Sequence, residues 1–480
     1  MVKIFIKIYV MFHSGIKTFG FISFIIVSLN LFAGNVTISG KISNPASDVI
    51  CVSPDVFLPD SECYTADVNM NGEFKLEFEL PLNGYYRFKH GREYSIIYLE
   101  TGFDLFVQLN TEEFDESLKF EGKGAKVNNY LASKYLINEK LQGDFDSFYG
   151  FEPDLFLKKN LQIRQTIEKE FLSLCSDEEI SPEFKNMERS SITYQWADDF
   201  LKYILYHGNF SNKELQVLKN VKNNYMLLND SVPDLLKVAP YRTYFMDLIN
   251  YKAARIKDTS QSENSRDDIQ WKWKAVKSTL ILNKNIQDFL YASLLIQHIK
   301  YTGTEGIDNL ILDLDSLCNN EKYRQSVHNE LELWKDLKSG NSAPDFTYAD
   351  SRGKEYSLHN FKGKYVYIDS WASWCGPCKK EIPYLKKLEE ELKSYNIEII
   401  GISLDTDKNA WKKILNDKEL SGIQLYANGF NSEFALNYNI KSIPRFILID
   451  PSGNIIDVNA KRPSEGVVDT IKSLKGIKQL

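Results

Sequence analysis

A chain of 480 residues with only six histidines and six cysteines has little material for a metal centre. His207, His298 and His328 lack the short spacing that puts two ligands on one ion, and His359 has no second Cys/His pair beside it, so no metal site is expected. Positive charge is also short: 58 Lys and Arg stand against 65 Asp and Glu, a net charge of −7, which argues against nucleic acid as a partner. Long apolar runs are missing apart from one near the start. Phe19 to Phe32 is apolar, yet Ser23, Ser28 and Asn30 interrupt it and leave its core too short for a spanning helix. Lys3, Lys7 and Lys17 precede it without acids, and it ends at Leu31-Phe32-Ala33, so residues 1–33 read as a secretory signal peptide. Retention as an uncleaved membrane anchor is the alternative, and Met11 an alternative start. No cysteine follows the apolar stretch until Cys51, which argues against a lipid anchor near position 34. Cleavage leaves 55 basic and 65 acidic side chains, net charge −10, on a protein expected in the periplasm or cell envelope.

The run Trp374-Cys375-Gly376-Pro377-Cys378 carries the chemistry, because two cysteines separated by two residues can make and break a disulfide within one helical turn. Tyr365 to Ser370 reads as a buried strand. Lys379 to Tyr395 reads as an amphipathic helix with Ile382, Leu385, Leu388 and Leu392 on one face and a kink at Pro383. The pair therefore sits on a strand-to-helix turn. Unpaired N–H groups at a helix N-terminus stabilise a thiolate, so Cys375 is expected to be the accessible nucleophile with a lowered pKa. Cys378, covered by its own helix, is expected to resolve the mixed disulfide. Pro377 suits the first turn and Gly376 leaves room for a substrate backbone.

Tyr365 to Pro383 resembles the thioredoxin superfamily, and within it the extracytoplasmic TlpA/ResA-type thiol-disulfide oxidoreductases related to the alkyl hydroperoxide reductase/thiol-specific antioxidant group. Gly340 to Phe346 is similar to the leading segment of that group, and Glu398 to Asp405 to its second strand. Ile443-Pro444 followed by Arg445 to Asp450 is similar to its cis-proline loop and next strand. The resemblance covers roughly Gly340 to Leu474. It implies that Pro444 is a cis-proline facing the disulfide and that Ile443 offers its backbone to an extended substrate peptide. It also implies that Asp369 is a buried acid assisting proton transfer at Cys378, and that Glu381 matches an acid used in the ResA-like branch. For Glu381 a solvated helix-face residue is the competing reading. The Pro-x-x-x-Thr-x-x-Cys pattern of peroxidatic cysteines is absent, which disfavours peroxide reduction.

Upstream, Val36 to Ile42, Gly72 to Leu80, Gly84 to Lys89, Tyr94 to Glu100 and Asp104 to Leu109 alternate apolar with polar residues between turn signals. Residues 35–124 are thus expected to form an antiparallel β-sandwich, which resembles the N-terminal β domain, of function not established, that precedes many such bacterial modules. Residues 125–339 read as helical, with apolar residues three and four apart in Leu155 to Leu174, Tyr194 to His207, Tyr244 to Ile256, Leu280 to His298 and Val327 to Leu337. Their aromatic richness reads as packed core. Lys338 to Ala343 reads as a linker into a thioredoxin-like α/β domain over 340–480. Cys51 and Cys63 on neighbouring strands are candidates for a local disulfide; with Cys175 and Cys318 they allow three pairings.

The expected function of this three-part chain is that of an extracytoplasmic thiol-disulfide oxidoreductase, reducing disulfides of protein substrates and needing no cofactor beyond the Cys375–Cys378 disulfide. Trp374, Gly376, Pro377, Ile443 and Pro444 are its expected docking residues, and the family implies a membrane electron donor. The Gly-Pro pair between the cysteines resembles reducing thioredoxins, at about −270 mV, rather than a dedicated oxidant at about −120 mV. The alternatives are an envelope protein or peptide-binding module with an accessory redox domain, or a disulfide isomerase or oxidant. Cytochrome c maturation and disulfide quality control both fit such a reductase, and oligomeric state is not legible.

Overall fold

The computed structural model describes residues 35–56, 63–207, 233–258, 268–279, 281, 283–418, 420 and 422–479. The expected signal segment and the Met11 start lie outside these residues.

The first part holds β1 (Asn35–Ser43), β2 (Val49–Pro54), β3 (Tyr64–Asp67), β4 (Glu73–Glu79), β5 (Gly84–His90), β6 (Glu93–Leu99), β7 (Asp104–Asn110) and β8 (Lys119–Lys123). Period-two alternation sets their faces: β4 buries Phe74, Leu76 and Phe78 and exposes the four charged residues between and beside them. Two four-stranded sheets result, ordered β4-β1-β7-β8 and β3-β2-β5-β6. Val36, Ile38, Leu105 and Val107 of the first sheet share one core with Ile50, Val52, Phe88 and Ile97 of the second. The expectation of wholly antiparallel pairing needs correction, because β1 and β7 run parallel from Thr37 opposite Asp104 to Ser43 opposite Asn110. Five strands separate the two in sequence, so no hairpin fixes their relative direction. Cys51 and Cys63 form a disulfide between β2 and the residue before β3, and Cys175 and Cys318 are free.

After a short α1 (Phe114–Ser117), the helical part comprises α2 (Ala125–Gln142), α3 (Phe145–Gly150), α4 (Pro153–Cys175), α5 (Pro182–His207), α6 (Ala239–Asp258), α7 (Asp268–Ser278), α8 (Lys284–Thr302), α9 (Asp308–Leu317) and α10 (Glu321–Glu332). Short polar residues start several of them: Asp144 accepts from the Ser147 N–H ahead of α3, and Asn320 from the Tyr323 N–H ahead of α10. Helix α2 opens the region read as helical, although its own segment was not singled out, because Asn128 occupies a core position. Its side chain accepts from the Tyr98 N–H at 2.8 Å and donates to the Tyr98 carbonyl at 3.0 Å, doing for β6 what a neighbouring strand would do.

The segment read as a linker is stitched to the last part. The Gly340 N–H donates to Ile455 O at 2.8 Å, the Ile455 N–H to Asn341 O at 2.8 Å and the Ala343 N–H to Gly453 O at 2.9 Å. The extended backbone there finds partners on the edge of the following sheet, so it is not a free tether. Nearby, the Arg445 guanidinium lies over the ring of Trp334, just beyond α10, at 5.1 Å.

The last part contains β9 (Thr347–Ala349), β10 (Glu355–Ser357), β11 (Tyr365–Trp371), α11 (Gly376–Leu392), β12 (Ile397–Ser403), α12 (Lys408–Asp417), β13 (Ile423–Tyr426), α13 (Glu433–Asn437), β14 (Arg445–Ile449), β15 (Ile455–Asp457) and α14 (Val467–Lys472). Strand order is β13-β12-β11-β14-β15. Every residue of β11 is buried, between parallel β12 and antiparallel β14, which suits a strand apolar at all but Asp369 and Ser370. Helix α11 runs through Pro383. Among the described residues no helix is long and apolar enough to cross a membrane.

Candidate active site

Strand β11 ends at Trp371 and delivers the chain to a turn whose shape is fixed by Asp405, just past β12. The buried Asp405 carboxylate accepts the Ser373 N–H at 2.9 and 3.1 Å, the Ser373 hydroxyl at 2.6 Å and the Ser403 hydroxyl at 2.7 Å. The Leu404 N–H donates to Trp371 O at 2.8 Å. Sequence reasoning missed Asp405 as a site-building residue, although an acid closing the apolar run Ile399 to Leu404 is a usable signal for a buried anchor.

Cys375 follows as the N-cap of α11, with Gly376 and Pro377 in the first turn, and its sulfur accepts the Cys378 N–H at 3.1 Å. The two cysteines are joined by a disulfide with Cα atoms 5.3 Å apart. The expectation of an accessible Cys375 is corrected here: both cysteines are only 4% exposed. Trp371, Ala372 and the fully buried Trp411 of α12 pack around them, with Ile443 against the cluster. Trp411 was also missed, since one tryptophan on an amphipathic helix carries no sign of where it packs. Trp374 is 53% exposed, its ring centroid 6.4 Å from that of Phe430. The Ile443–Pro444 peptide bond is cis, and Ile443 O lies 3.7 Å from the Cys375 sulfur. The structure thus brings Cys375, Cys378, Trp374, Gly376, Pro377, Ile443 and Pro444 together.

Behind the disulfide lies Asp369 of β11, 9% exposed, with Oδ1 lacking a hydrogen-bond partner. Burial pushes its pKa up to about 8, and the charges of Glu381 and Glu389 add to the rise. A cavity of about 20 Å³ is lined by both Asp369 and Cys378, with Lys386 and Glu389 also on its wall. That volume suffices for one water molecule. Glu381 is buried, against the competing reading of a solvated helix-face residue. Ser464, ahead of α14, donates to it from its N–H at 3.1 Å and its hydroxyl at 2.8 Å. Ser464 was not singled out from sequence, because it lies 83 residues from its partner. Among the described residues no group of His, Cys, Asp and Glu could hold a metal ion.

A disulfide at the N-terminus of a helix, faced by a cis-proline loop and backed by a buried acid on the central strand, defines a thioredoxin-like redox site. Residues 338–475 match the Redoxin family. ResA, a thiol-disulfide oxidoreductase of Bacillus thuringiensis subsp. konkukian, is 30% identical over 139 residues, 29% of this chain and 79% of the relative. The Bacillus subtilis ResA is 29% identical over 139 residues, 29% of this chain and 76% of its own. Among solved structures, the thioredoxin domain of a thiol-disulfide oxidoreductase from Bacteroides vulgatus is 34% identical, with 28% of this chain and 96% of that one covered, at a TM-score of 0.27. The chain belongs to the ResA-like thiol-disulfide oxidoreductases of the thioredoxin superfamily through its C-terminal domain.

Proposed function

We propose that this protein is an extracytoplasmic protein-disulfide reductase working through Cys375 and Cys378. The observation that carries this reading is the placement of the disulfide between the helix N-terminus and the Ile443 carbonyl, with a buried carboxyl behind it. In the reduced enzyme, N–H groups of the first turn of α11 stabilise a Cys375 thiolate. A substrate segment docks along Ile443 and Pro444 and over Trp374, Gly376 and Pro377. The Cys375 thiolate attacks one sulfur of the substrate disulfide, and the other leaves as a thiolate that takes up a proton. Cys378 then gives its proton to ionised Asp369, directly or through one water, attacks the Cys375 sulfur and expels the second substrate thiolate. Two electrons have passed from enzyme dithiol to substrate, and a membrane electron donor restores the thiols. Glu381, held by Ser464, keeps a negative charge near Asp369 and so keeps its pKa high.

The setting is the periplasm or cell envelope, where cytochrome c maturation and disulfide quality control both use such reduction. The division proposed is a signal peptide over 1–33, a β-sandwich over 35–124, a helical domain over 125–339 and the redox domain over 340–480. Trapping in envelope extracts tests the reading. Cys378→Ser should accumulate mixed disulfides with substrate proteins and Cys375→Ser should accumulate none; adducts on the Cys375→Ser variant would reverse the roles.

A further inference from the structure

The helical part reaches the docking loop of the redox site through one ring. Arg445 opens β14 directly after cis-Pro444, and its pairing with Ser370 is the end pair of the ladder between β14 and β11. Ile443 and Pro444 lie beyond that pair. Ladders open first at their ends, so the place of these two residues depends on how firmly Arg445 is held.

The Arg445 side chain is only 5% exposed; its Nε donates to Val458 O at 2.6 Å, while Nη2 has no hydrogen-bond partner among the described residues. Burial pulls its pKa down to about 10 against the charge of Asp457. A buried cation with an unpaired N–H group is poorly compensated. Its flat face is met by the ring of Trp334, with the guanidinium carbon 5.1 Å from the ring centroid. An aromatic face attracts a cation most strongly where water is excluded, and tryptophan does so best. Trp334 is 1% exposed.

That ring is placed by the helical part. The Trp334 N–H donates to Leu331 O at 3.0 Å, its carbonyl accepts the Leu337 N–H at 3.0 Å, and it shares one core with Leu295 and Ile299 of α8 and Leu310 of α9. Gly303, which ends α8 at φ +100°, sits so near that a Cβ there would lie 3.5 Å from the Trp334 ring and 3.4 Å from the Asn459 amide of the redox domain. Trp334, Asp457, Val458 and Asn459 also line a cavity of about 790 Å³ between the two parts, so the contact spans them beside open space.

We propose that Trp334 is a positioning residue for disulfide exchange: by holding Arg445 it holds the Ile443–Pro444 loop where a substrate polypeptide docks. The inference rests on the reductase reading and gives the helical part a role in it. A polypeptide lying along Ile443 and Pro444 needs that loop in place. A small disulfide, which meets only the Cys375 sulfur, does not.

The test measures single-turnover reduction of two probes, insulin and bis(2-hydroxyethyl) disulfide, by the full chain reduced beforehand and freed of reductant. With either probe the Cys375–Cys378 dithiol gives up two electrons and two protons, and one probe disulfide becomes two thiols. Trp334→Leu should lower the insulin rate relative to the small-disulfide rate about tenfold. Trp334→Phe, which returns a ring face to the guanidinium, should recover most of that ratio. A role confined to stability would slow both probes together. Should Trp334→Leu misfold, hydrogen exchange in Cys378→Ser decides. A cysteine-containing peptide held on Cys375 as a mixed disulfide should slow amide exchange over residues 331–337 about tenfold against a 2-hydroxyethyl adduct, because coupling between two places is reciprocal. An unchanged ratio in Trp334→Leu, a loss shared equally by both probes, no recovery in Trp334→Phe, or equal exchange in the two adducts would overturn the proposal. A parent that reduces neither probe overturns the reductase reading and this inference with it. A parent that reduces both, with Trp334→Leu keeping the same ratio, overturns the inference alone.

Discussion

Two buried carboxyl groups, one on each side of the junction at residue 338, are treated oppositely by this molecule. Glu188 in α5 is fully buried and receives the Tyr85 hydroxyl at 2.6 Å, the Tyr130 hydroxyl at 2.9 Å and the Lys134 ammonium at 2.7 Å. Asp369 in β11 has an Oδ1 without a partner, and the charges that act on it are acidic. Glu188 is a structural charge, compensated on every side. Asp369 is held at a cost to the fold, and a cost of that kind persists where the group serves the chemistry.

Removing the acid that lacks compensation should help the fold, and this gives the largest expected effect. The Asp369 carboxyl has its pKa raised from the ordinary 3.8 to about 8. The folded state therefore holds the proton more tightly, and stability falls as pH rises from 3.8 to about 8. Asp369→Asn has no such loss. Its advantage over the parent in denaturant unfolding should grow across that window to at most roughly 6 kcal/mol and stay constant above it. A pH-independent difference would mean Asp369 is already compensated. Glu188→Ala should act in the opposite sense, costing about 3–5 kcal/mol by stranding Lys134 in a buried site. A loss below about 1 kcal/mol would show that the network relaxes into water. The smallest effect is expected for Ser464→Ala, which frees Glu381 from one hydroxyl and should lower stability by about 1–2 kcal/mol. It should also move the pH window of Asp369, because the Glu381 carboxylate would be held by the Ser464 N–H alone; an unmoved window would separate the Ser464 hydroxyl from the site.

The redox domain was the more legible part. The run from Tyr365 to Pro383 holds a buried strand, a turn and an amphipathic helix in consecutive residues, so local pattern and site coincide. Asp369 was readable because a charge inside an apolar strand is conspicuous. Trp411 and Ser464 were not, since each acts on a residue distant in sequence and neither breaks its local pattern; Asp405 left a signal as the acid closing an apolar run, but the turn it anchors lies 32 residues away. The burial of Cys375 was hidden for the same reason: Trp411 and Ile443 reach it only in three dimensions. In the first part, alternation revealed the strands flanked by clear turns, but the parallel pairing of β1 with β7 depends on a contact across five intervening strands. Helix α2 fell within the region read as helical but was not picked out by itself, because Asn128 sits where a periodic helix would bury an apolar residue, and its role is to complete the edge of β6.

The role of Asp369 is tested most directly by rapid-quench measurement of how fast a preformed mixed disulfide on Cys375 is resolved by Cys378 as pH is varied. The parent rate should rise through about pH 8 as Asp369 becomes able to take the proton, and Asp369→Asn should be slower and lack that inflection. Identical profiles for the two proteins would contradict the assignment of Asp369 as the proton acceptor of the resolving cysteine.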